Sequence, residues 1–332
     1  MVAVKSVRRV WIVFIITAFV LSSLTPAEGF AATKSHHHKK RHHHHSSSQN
    51  GPVHFSELVV DGRTGKVIYS KNANARRYPA SLTKMMTLYL TFDALKKGKM
   101  RLDQTLMVSD KASQQPPTNI ALEKGDRLPV RIAIESVVVR SANDSAMALG
   151  EALGKTEWNF ALMMTKKARE LGMKDTVFRN PSGLPDNNQH TTAFDMARLA
   201  IALRRDFPEY YHFFSMQSFD YNGVTYPGHN HVMERHPEWV DGVKTGYIRA
   251  SGYNLVTSAH RDGHNLVAVI MGSRTSQSRD SQMVSLLDRT FGQLASKHKH
   301  VADDDTDTDD SGDALEANNV ENVEPLQVGQ GN

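Results

Sequence analysis

Two β-hairpin signals at opposite ends of one long segment constrain the fold more than any other feature of the sequence. The first predicts strands over Phe55–Val60 and Lys66–Tyr69, joined by a turn whose glycines accept positive φ. The second predicts strands over Leu255–Ala259 and Leu266–Met271, joined through Arg261-Asp262-Gly263-His264. Because strands gather at both ends and helices separate them, the pattern favours an antiparallel sheet over alternating βαβ units.

Apolar residues at helical spacing fill the segment between these hairpins. They predict a buried helix that starts at Ser81, a helix from Pro129 to about Arg140, one capped by Asn143 and Asp144 and running through Leu153, and one from Trp158 to Leu171. A final amphipathic helix follows the second hairpin, with an apolar face of Met283, Leu286, Leu287, Phe291 and Leu294. The predicted fold class is α+β, with a mostly antiparallel sheet flanked by helices and an all-helical subregion.

Composition excludes several kinds of chemistry. The 332 residues are 39% hydrophobic and 23% charged, which is typical of a globular chain and not of a multi-span membrane protein. The chain has no cysteine, so thiolate metal sites, disulfides and a cysteine nucleophile are all excluded. Any chemistry must therefore use oxygen or nitrogen groups.

The first 31 residues have the pattern of an export signal. A basic start precedes an apolar run from Val10 to about Val20, and small residues follow around Ala27 and Ala31. The run is short for a bilayer-spanning helix, and cleavage after either alanine satisfies the small-residue rule. We expect an exported protein of the periplasm or cell envelope, with no stable membrane anchor after cleavage.

Residues 32–51 are rich in histidine and serine and predict a linker. Clustered imidazoles bind Zn²⁺, Ni²⁺ or Cu²⁺, and a purification tag is the other interpretation of this stretch. Because nothing in the sequence fixes a coordination geometry, we assign no metal site and no cofactor. The globular catalytic domain is predicted over residues 52–300.

The last segment, residues 301–332, is predicted to be an acidic disordered tail with ten Asp and Glu residues and no Lys or Arg. Since the whole chain has a net charge of +5, the remainder is strongly basic. Such a surface suits an anionic partner such as nucleic acid, anionic lipid or bacterial cell wall, and it is equally typical of a merely soluble basic protein.

The tetrapeptide Ser81-Leu82-Thr83-Lys84 opens the first buried helix. Three residues make about one helical turn, so the Lys84 amine can lie beside the Ser81 hydroxyl. A desolvated lysine loses its proton more easily and can then accept the serine proton, which gives an activated nucleophile. Alone, the string is more often a serine cap with a solvated lysine.

Two further short strings carry hydroxyl, amide and amine groups. Ser141-Ala142-Asn143 stands at a break between two apolar helices. Lys244-Thr245-Gly246 lies in an extended stretch before the closing hairpin, where a peptide carboxylate can pair with the lysine and threonine while its backbone approaches the glycine. The ordered set Ser-x-x-Lys, Ser-x-Asn and Lys-Thr-Gly is the signature of penicillin-binding proteins and serine β-lactamases.

With these motifs the chain resembles the low-molecular-mass penicillin-binding proteins that act as D-alanyl-D-alanine carboxypeptidases. The likeness runs from about Phe55 to Leu294. Longer strings share it, namely Leu58-Val59-Val60-Asp61, Tyr78-Pro79-Ala80-Ser81-Leu82-Thr83-Lys84-Met85-Met86-Thr87, Ser141-Ala142-Asn143-Asp144, Asn180-Pro181-Ser182-Gly183-Leu184 and Asp241-Gly242-Val243-Lys244-Thr245-Gly246-Tyr247. The resemblance implies a β-lactamase/transpeptidase-like fold.

The resemblance also implies an acyl-enzyme mechanism on peptidoglycan stem pentapeptides, with release of the terminal D-alanine. Ser81 would be the nucleophile and Lys84 its base. Ser141 would relay a proton to the leaving D-alanine, and Asn143 would hold the substrate amide. β-Lactam antibiotics would act as covalent inhibitors, and no nucleic-acid partner is expected.

Substrate-binding roles fall, by the same resemblance, on the closing strand. Lys244 and Thr245 would bind the terminal carboxylate while Gly246 allows close approach of the peptide. The backbone N–H groups of Ser81 and Tyr247 would form the oxyanion hole. Arg279 would lie near the same carboxylate. This assignment is weaker than the others, because a loop arginine is more often solvated.

The sequence departs from the resembling proteins in two places. They often carry a second, all-β domain and a C-terminal amphipathic membrane helix, whereas here the globular pattern stops near Leu294 and the tail has no apolar face. His229 stands about where a related enzyme has an arginine, so carboxylate binding would be weaker or pH-dependent, although an uncharged surface histidine is the plainer interpretation.

Two other functions remain open. A DD-endopeptidase cuts D-alanine cross-links with the same serine, and the motifs do not separate it from a carboxypeptidase. A catalytically silent peptidoglycan- or metal-binding envelope protein would leave the buried polar groups without a use. A class A β-lactamase is disfavoured because the glutamate string needed for fast deacylation is absent after Asn143.

Overall fold

The structure is a computed structural model that describes residues 55–304, of which residues 297–304 are described by their backbone alone. The predicted signal peptide, the His/Ser-rich linker and the acidic tail beyond residue 304 lie outside the described residues.

Strands within the described residues are, in chain order, β1 (Ser56–Asp61), β2 (Val67–Lys71), β3 (Thr105–Met107), β4 (Arg127–Pro129), β5 (Ser218–Tyr221), β6 (Val224–Pro227), β7 (Val240–Ile248), β8 (Gly252–Arg261) and β9 (His264–Ser273). The helices there are α1 (Lys84–Lys96), α2 (Asp110–Ser113), α3 (Val130–Val139), α4 (Asn143–Gly154), α5 (Glu157–Glu170), α6 (Ala193–Asp206), α7 (His231–Arg235) and α8 (Ser276–Asp304). Short 3₁₀ turns cover Ala80–Thr83 and Tyr211–Ser215.

The main sheet has five strands in the order β2-β1-β9-β8-β7, and each neighbouring pair is antiparallel. Both predicted hairpins are present, as β1–β2 and β8–β9, and β1 pairs with β9, so the two ends of the domain meet in the middle of the sheet. The predicted antiparallel α+β fold is confirmed. Strand β7 forms one edge of the sheet.

Alternate residues of the central strands enter two separate cores. Leu58, Val256 and Val269 pack with the helical region on one face, whereas Val59 and Ile270 pack on the other face. That second core includes the apolar side of α8, through Met283, Leu286, Leu287 and Phe291. Because both faces are covered, the strands read as nearly continuous apolar runs.

Helix α1 is buried around its whole circumference and lies at the centre of the helical region. The prediction that this helix starts at Ser81 is wrong in one respect, because Ser81 lies in the 3₁₀ turn and the α-helix begins at Lys84. Ala80 has a φ of +49°, and this left-handed residue reorients the chain just before the turn. Ser81 therefore lies on a tight corner between two segments.

The predicted side-chain cap of α4 is also wrong. Ala142 is the N-cap of α4 and contributes no side-chain hydrogen bond, while Asn143 is already helical. The Asn143 and Asp144 side chains bind other parts of the fold instead. Helices α3 and α5 lie where the periodicity places them, whereas α6 and the small sheets β3–β4 and β5–β6 have no counterpart in the sequence prediction.

Helix α8 continues to Asp304, past the expected domain end at residue 300. Residues 55–304 contain no helix whose length and apolar run would suit a bilayer span.

Candidate active site

The Lys84 amine is fully buried and makes three contacts. Its Nζ atom lies 2.6 Å from the carbonyl oxygen of Ser182, 2.7 Å from Asn143 Oδ1 and 3.2 Å from Ser81 Oγ. Burial lowers the pKa of Lys84 well below its usual 10.5, the charge of Lys244 lowers it further, and Asp144 opposes the shift. No carboxylate within the described residues contacts the amine, so the site favours its neutral form.

Hydrogen-bond chemistry fixes how a neutral Lys84 is oriented. A neutral amine has two N–H groups and one lone pair. The Ser182 carbonyl and the Asn143 amide oxygen can only accept, so they take the two N–H groups. The lone pair is left facing the Ser81 hydroxyl, which is the one partner that can donate a proton. The arrangement can deprotonate Ser81.

The turn that carries Ser81 packs against the neighbouring strands β7 and β8. Asn254 on β8 donates from Nδ2 to the carbonyls of Tyr78 at 3.1 Å and Pro79 at 3.3 Å. On β7, Gly246 approaches so closely that a Cβ there would lie 3.0 Å from the Ser81 backbone nitrogen. A side chain at Gly246 would therefore press on the turn, which explains the glycine.

The segment Asn180–Leu184 supplies the Ser182 carbonyl that orients Lys84. Asn180 Oδ1 accepts from the backbone nitrogens of Ser182 at 3.3 Å and Gly183 at 2.7 Å. Gly183 has a φ of +86°, and a Cβ there would lie 1.8 Å from the Ala80 carbonyl oxygen. The sequence indicates this segment only through the family likeness, because its role depends on packing against α1.

Ser141 lies between α3 and α4 in a left-handed conformation with a φ of +61°. Its Oγ is buried yet has no hydrogen-bond partner within the described residues. A strained backbone and an unpaired hydroxyl in a cleft are costly, and such features concentrate at functional sites.

The loop opposite Ser81 is tied to the segment Ser141–Asp144. Thr118 donates from Oγ1 to the Ser141 carbonyl at 3.0 Å, and Asn143 donates from Nδ2 to the Pro116 carbonyl at 2.8 Å. The buried Asp144 carboxylate accepts the N–H groups of Ile120 at 3.0 Å and Leu122 at 3.2 Å. Sequence reasoning missed Asp144, because a helix-start aspartate is usually a cap.

Lys244, Thr245 and Gly246 lie on the edge strand β7, as predicted for an extended stretch. Lys244 is 2% exposed, and among the described residues its Nζ has one acceptor, the Thr245 carbonyl at 3.2 Å. Burial and then the nearby Arg279 lower the pKa of Lys244 to about 7. Tyr247 is half exposed and stacks on Tyr253 with ring centroids 4.2 Å apart.

Arg279 lies in the first turn of α8 rather than in a loop. Only 4% of it is exposed, and it donates from Nε and Nη2 to Asp280 Oδ1 at 2.9 and 2.7 Å. The burial of Arg279 excludes the alternative of a solvated loop arginine, and the residue lines the same cleft as Ser81.

His229 is partly buried and not at a free surface, with Nε2 3.3 Å from Arg140 Nη1. Burial is the main cause that lowers its pKa to about 4, and Lys244, Arg140, His231 and Arg279 act in the same direction. His229 is therefore neutral at pH 7.

A cleft of about 460 Å³ brings most of the predicted site residues together. From the predicted set its lining includes Ser81, Ser141, Asn143, Thr245, Gly246, Tyr247 and Arg279. Lys84 contacts Ser81 from the buried side. Lys244 instead lines a neighbouring cavity. No group of three or more His, Asp or Glu side chains placed to hold a metal ion occurs in the part of the chain that the structure describes.

Comparison with known proteins shows the family of this chain. The family model for D-alanyl-D-alanine carboxypeptidase matches residues 46–275, and the chain belongs to this family. It is 35% identical over 243 residues to the D-alanyl-D-alanine carboxypeptidase DacF of Bacillus subtilis, an alignment that covers 72% of this chain and 62% of the relative. The chain thus spans about three fifths of the length of the curated relatives that it matches.

Solved structures show the same fold. Penicillin binding protein 5 from Haemophilus influenzae is 34% identical with a TM-score of 0.69, and the alignment covers 71% of this chain and 70% of that one. Penicillin-Binding Protein D2 from Listeria monocytogenes, solved in a cefotaxime-bound form, is 25% identical with a TM-score of 0.65 over 71% of this chain and 96% of that one.

Proposed function

We propose that this protein is a serine-type D-alanyl-D-alanine carboxypeptidase that removes the terminal D-alanine from peptidoglycan stem pentapeptides. The observation that carries the proposal is the buried Lys84 amine, whose two N–H groups have acceptor-only partners while its lone pair faces Ser81 Oγ at 3.2 Å. A serine activated in this way attacks a carbonyl at neutral pH without a histidine.

Acylation begins when Ser81 Oγ attacks the carbonyl between the two D-alanines and its proton passes to Lys84 Nζ. The C–N bond then breaks, and the leaving amine takes a proton relayed through the unpaired Ser141 hydroxyl. The backbone N–H groups of Ser81 and Tyr247 stabilise the oxyanion, since Gly246 brings β7 against the Ser81 turn. Water hydrolyses the resulting ester on Ser81 and returns the free enzyme.

Substrate binding uses the free edge of β7. An extended peptide can lie along this edge and pair with its backbone, as in β-strand addition. Its terminal carboxylate meets Lys244, Thr245 and Arg279, which together supply two cations and a hydroxyl. Asn143 keeps one N–H for the substrate amide, because Lys84 and Pro116 use its oxygen and its other N–H.

The proposal includes covalent inhibition by β-lactams, which Ser81 would attack as it attacks the peptide. The cefotaxime-bound structure of the similar Listeria monocytogenes protein supports this proposal. We also infer residues 1–31 as an export signal, 32–51 as a linker, 52–300 as the catalytic domain and 301–332 as an acidic tail. We infer a location in the periplasm or cell envelope and a role in cell shape, which the export pattern and a peptidoglycan substrate support.

The proposal is tested by mass spectrometry of muropeptides from sacculi that contain both free pentapeptides and cross-linked dimers. The purified full chain should convert pentapeptide to tetrapeptide and release D-alanine, and a Ser81→Ala variant should leave both unchanged. Cleavage of dimers without pentapeptide shortening would identify a DD-endopeptidase instead. A folded wild-type protein that changes neither would support the silent envelope-binding alternative.

A further inference from the structure

A second cavity of about 220 Å³ lies beside the cleft and has two residues in common with it, His229 and Thr245. Lys244 also lines this cavity and precedes Thr245 on β7. The proposed acylation mechanism uses none of the space inside this cavity.

About half of the residues that line the cavity are apolar, and most of these are buried. The polar members are Gln217, Ser218, His229, Asn230, Glu234, Lys244 and Thr245. Phe214 is 1% exposed, while Val139 and Val243 are each 3% exposed. The other apolar members are Val138, Met216, Pro227 and Met233. The buried apolar side of the cavity is favourable for covering hydrocarbon, because its side chains gain contacts that an empty space lacks.

Stereochemistry relates this cavity to the substrate under the proposed function. Lys244 and Thr245 would bind the carboxylate of the terminal D-amino acid. That carboxylate carbon and the side-chain Cβ are bonded to the same Cα, so they lie only about 2.5 Å apart. The side chain of the leaving residue therefore starts near Thr245, which lines both the cleft and the cavity.

Charge at this junction is compatible with an apolar guest. Burial lowers the pKa of His229 to about 4, and the nearby Lys244, Arg140, His231 and Arg279 act in the same direction. The His229 ring is therefore neutral at pH 7. A neutral ring can be covered by hydrocarbon at little cost, whereas a charged one could not.

We propose that the cavity is a leaving-group pocket, which receives an unbranched apolar side chain of about three or four carbons on the terminal D-amino acid. The enzyme then hydrolyses peptides that end in D-alanyl-D-norleucine as well as those that end in D-alanyl-D-alanine. One water is consumed, the C–N bond breaks, and free D-norleucine leaves with the proton on its amine. This inference rests on the proposed carboxypeptidase function.

The test compares kcat/KM for two N-acylated peptides that differ only in the last residue, D-alanine or D-norleucine, with the purified full chain. The wild type should cleave both within about tenfold of each other. Ser218 is exposed and lines the cavity, so Ser218→Trp should fill it and lower the norleucine-to-alanine ratio by at least about tenfold, since one methylene in an apolar pocket is worth 10–200-fold.

The matched control is Val224→Trp on the adjoining strand β6, which is 49% exposed and does not line the cavity. Its ratio should equal that of the wild type. If the wild type cleaves the alanine peptide but the norleucine peptide more than about 100-fold more slowly, the pocket assignment is wrong. It is also wrong if Ser218→Trp leaves the ratio unchanged. If neither peptide is cleaved, the proposed function is wrong, and the pocket assignment that rests on it is wrong too.

Discussion

Lys84 and Asn143 are 59 residues apart in the chain, yet Lys84 Nζ donates to Asn143 Oδ1 at 2.7 Å in the buried centre of the molecule. This bond links α1 to α4 and fixes which side of the amine faces Ser81. Asn143 thereby acts on the nucleophile through the base, in addition to any contact with substrate.

Replacing Ser81 by alanine should abolish covalent labelling by a fluorescent penicillin. The Ser81 hydroxyl makes one weak contact, with Lys84, so its loss should change the free energy of unfolding by less than about 1 kcal/mol. Gel fluorescence measures the labelling, and thermal unfolding checks the fold. Ser276→Ala removes another serine hydroxyl from the same cleft and should still be labelled. Labelling of the Ser81→Ala protein would contradict the mechanism.

The kcat/KM for D-alanine release should fall as pH rises above about 7, the pKa of Lys244. Below that pH Lys244 is charged and binds the substrate carboxylate, and above it the charge is lost. Since kcat/KM reports ionisations of the free enzyme, the alkaline limb should appear there directly. On the acid side, kcat/KM should decrease as Lys84 takes up a proton, because only the neutral amine can accept the Ser81 proton. Burial lowers the pKa of Lys84 well below its usual 10.5, so this decrease occurs at a correspondingly lower pH.

A Lys244→Arg variant separates these two limbs. Arginine stays charged throughout the accessible pH range, so the alkaline limb near pH 7 should disappear while the acid limb remains. An unchanged alkaline limb in this variant would assign that ionisation to another group.

Replacing Gly183 by alanine should destabilise the domain by more than about 4 kcal/mol or displace the Ser81 turn. The new Cβ would lie 1.8 Å from the Ala80 carbonyl oxygen, and the backbone there has a φ of +86°. Urea unfolding and penicillin acylation rates measure the two consequences.

Gly223→Ala is the matched control for backbone strain alone. Gly223 has a φ of +76°, but a Cβ there would meet nothing within 4 Å. We expect a cost of only about 1–2 kcal/mol and unchanged acylation. Equal losses of stability and of acylation rate at both glycines would show that the close packing of residue 183 on Ala80 adds nothing to the cost of backbone strain.

Replacing Asp144 by alanine should cost about 2–4 kcal/mol, because the N–H groups of Ile120 and Leu122 lose their acceptor. The loop that carries Thr118 should loosen, so acylation should also slow. Asp144→Asn keeps an acceptor oxygen and should recover most of both losses. Guanidinium unfolding and stopped-flow acylation are the measurements.

The exposed Asp103 provides the comparison, since Asp103→Ala should change the free energy of unfolding by less than about 0.5 kcal/mol. Slow acylation in Asp144→Asn equal to that in Asp144→Ala would argue that the charge of Asp144, and not its hydrogen bonds, is what matters.

The sequence was sufficient to predict both hairpins, the fold class and the candidate residues Ser81, Lys84 and Ser141. Period-two and period-3.6 patterns report burial locally, and short motifs are contiguous, so both can be read without tertiary structure. Asp144 and Asn254 were missed for the opposite reason. Their partners are distant backbone groups, at Ile120 and Leu122 for one and at Tyr78 and Pro79 for the other.

The amino-acid sequence by itself determined which chemical groups are available, where the two hairpins and several of the helices lie, and the order of the three motifs along the chain. Only the tertiary structure decided that the Ser182 carbonyl and Asn143 take the two N–H groups of Lys84, that Arg279 is buried, and that Lys244 lines a second cavity. Those features depend on burial and on contacts between segments far apart in the chain, which no local pattern encodes.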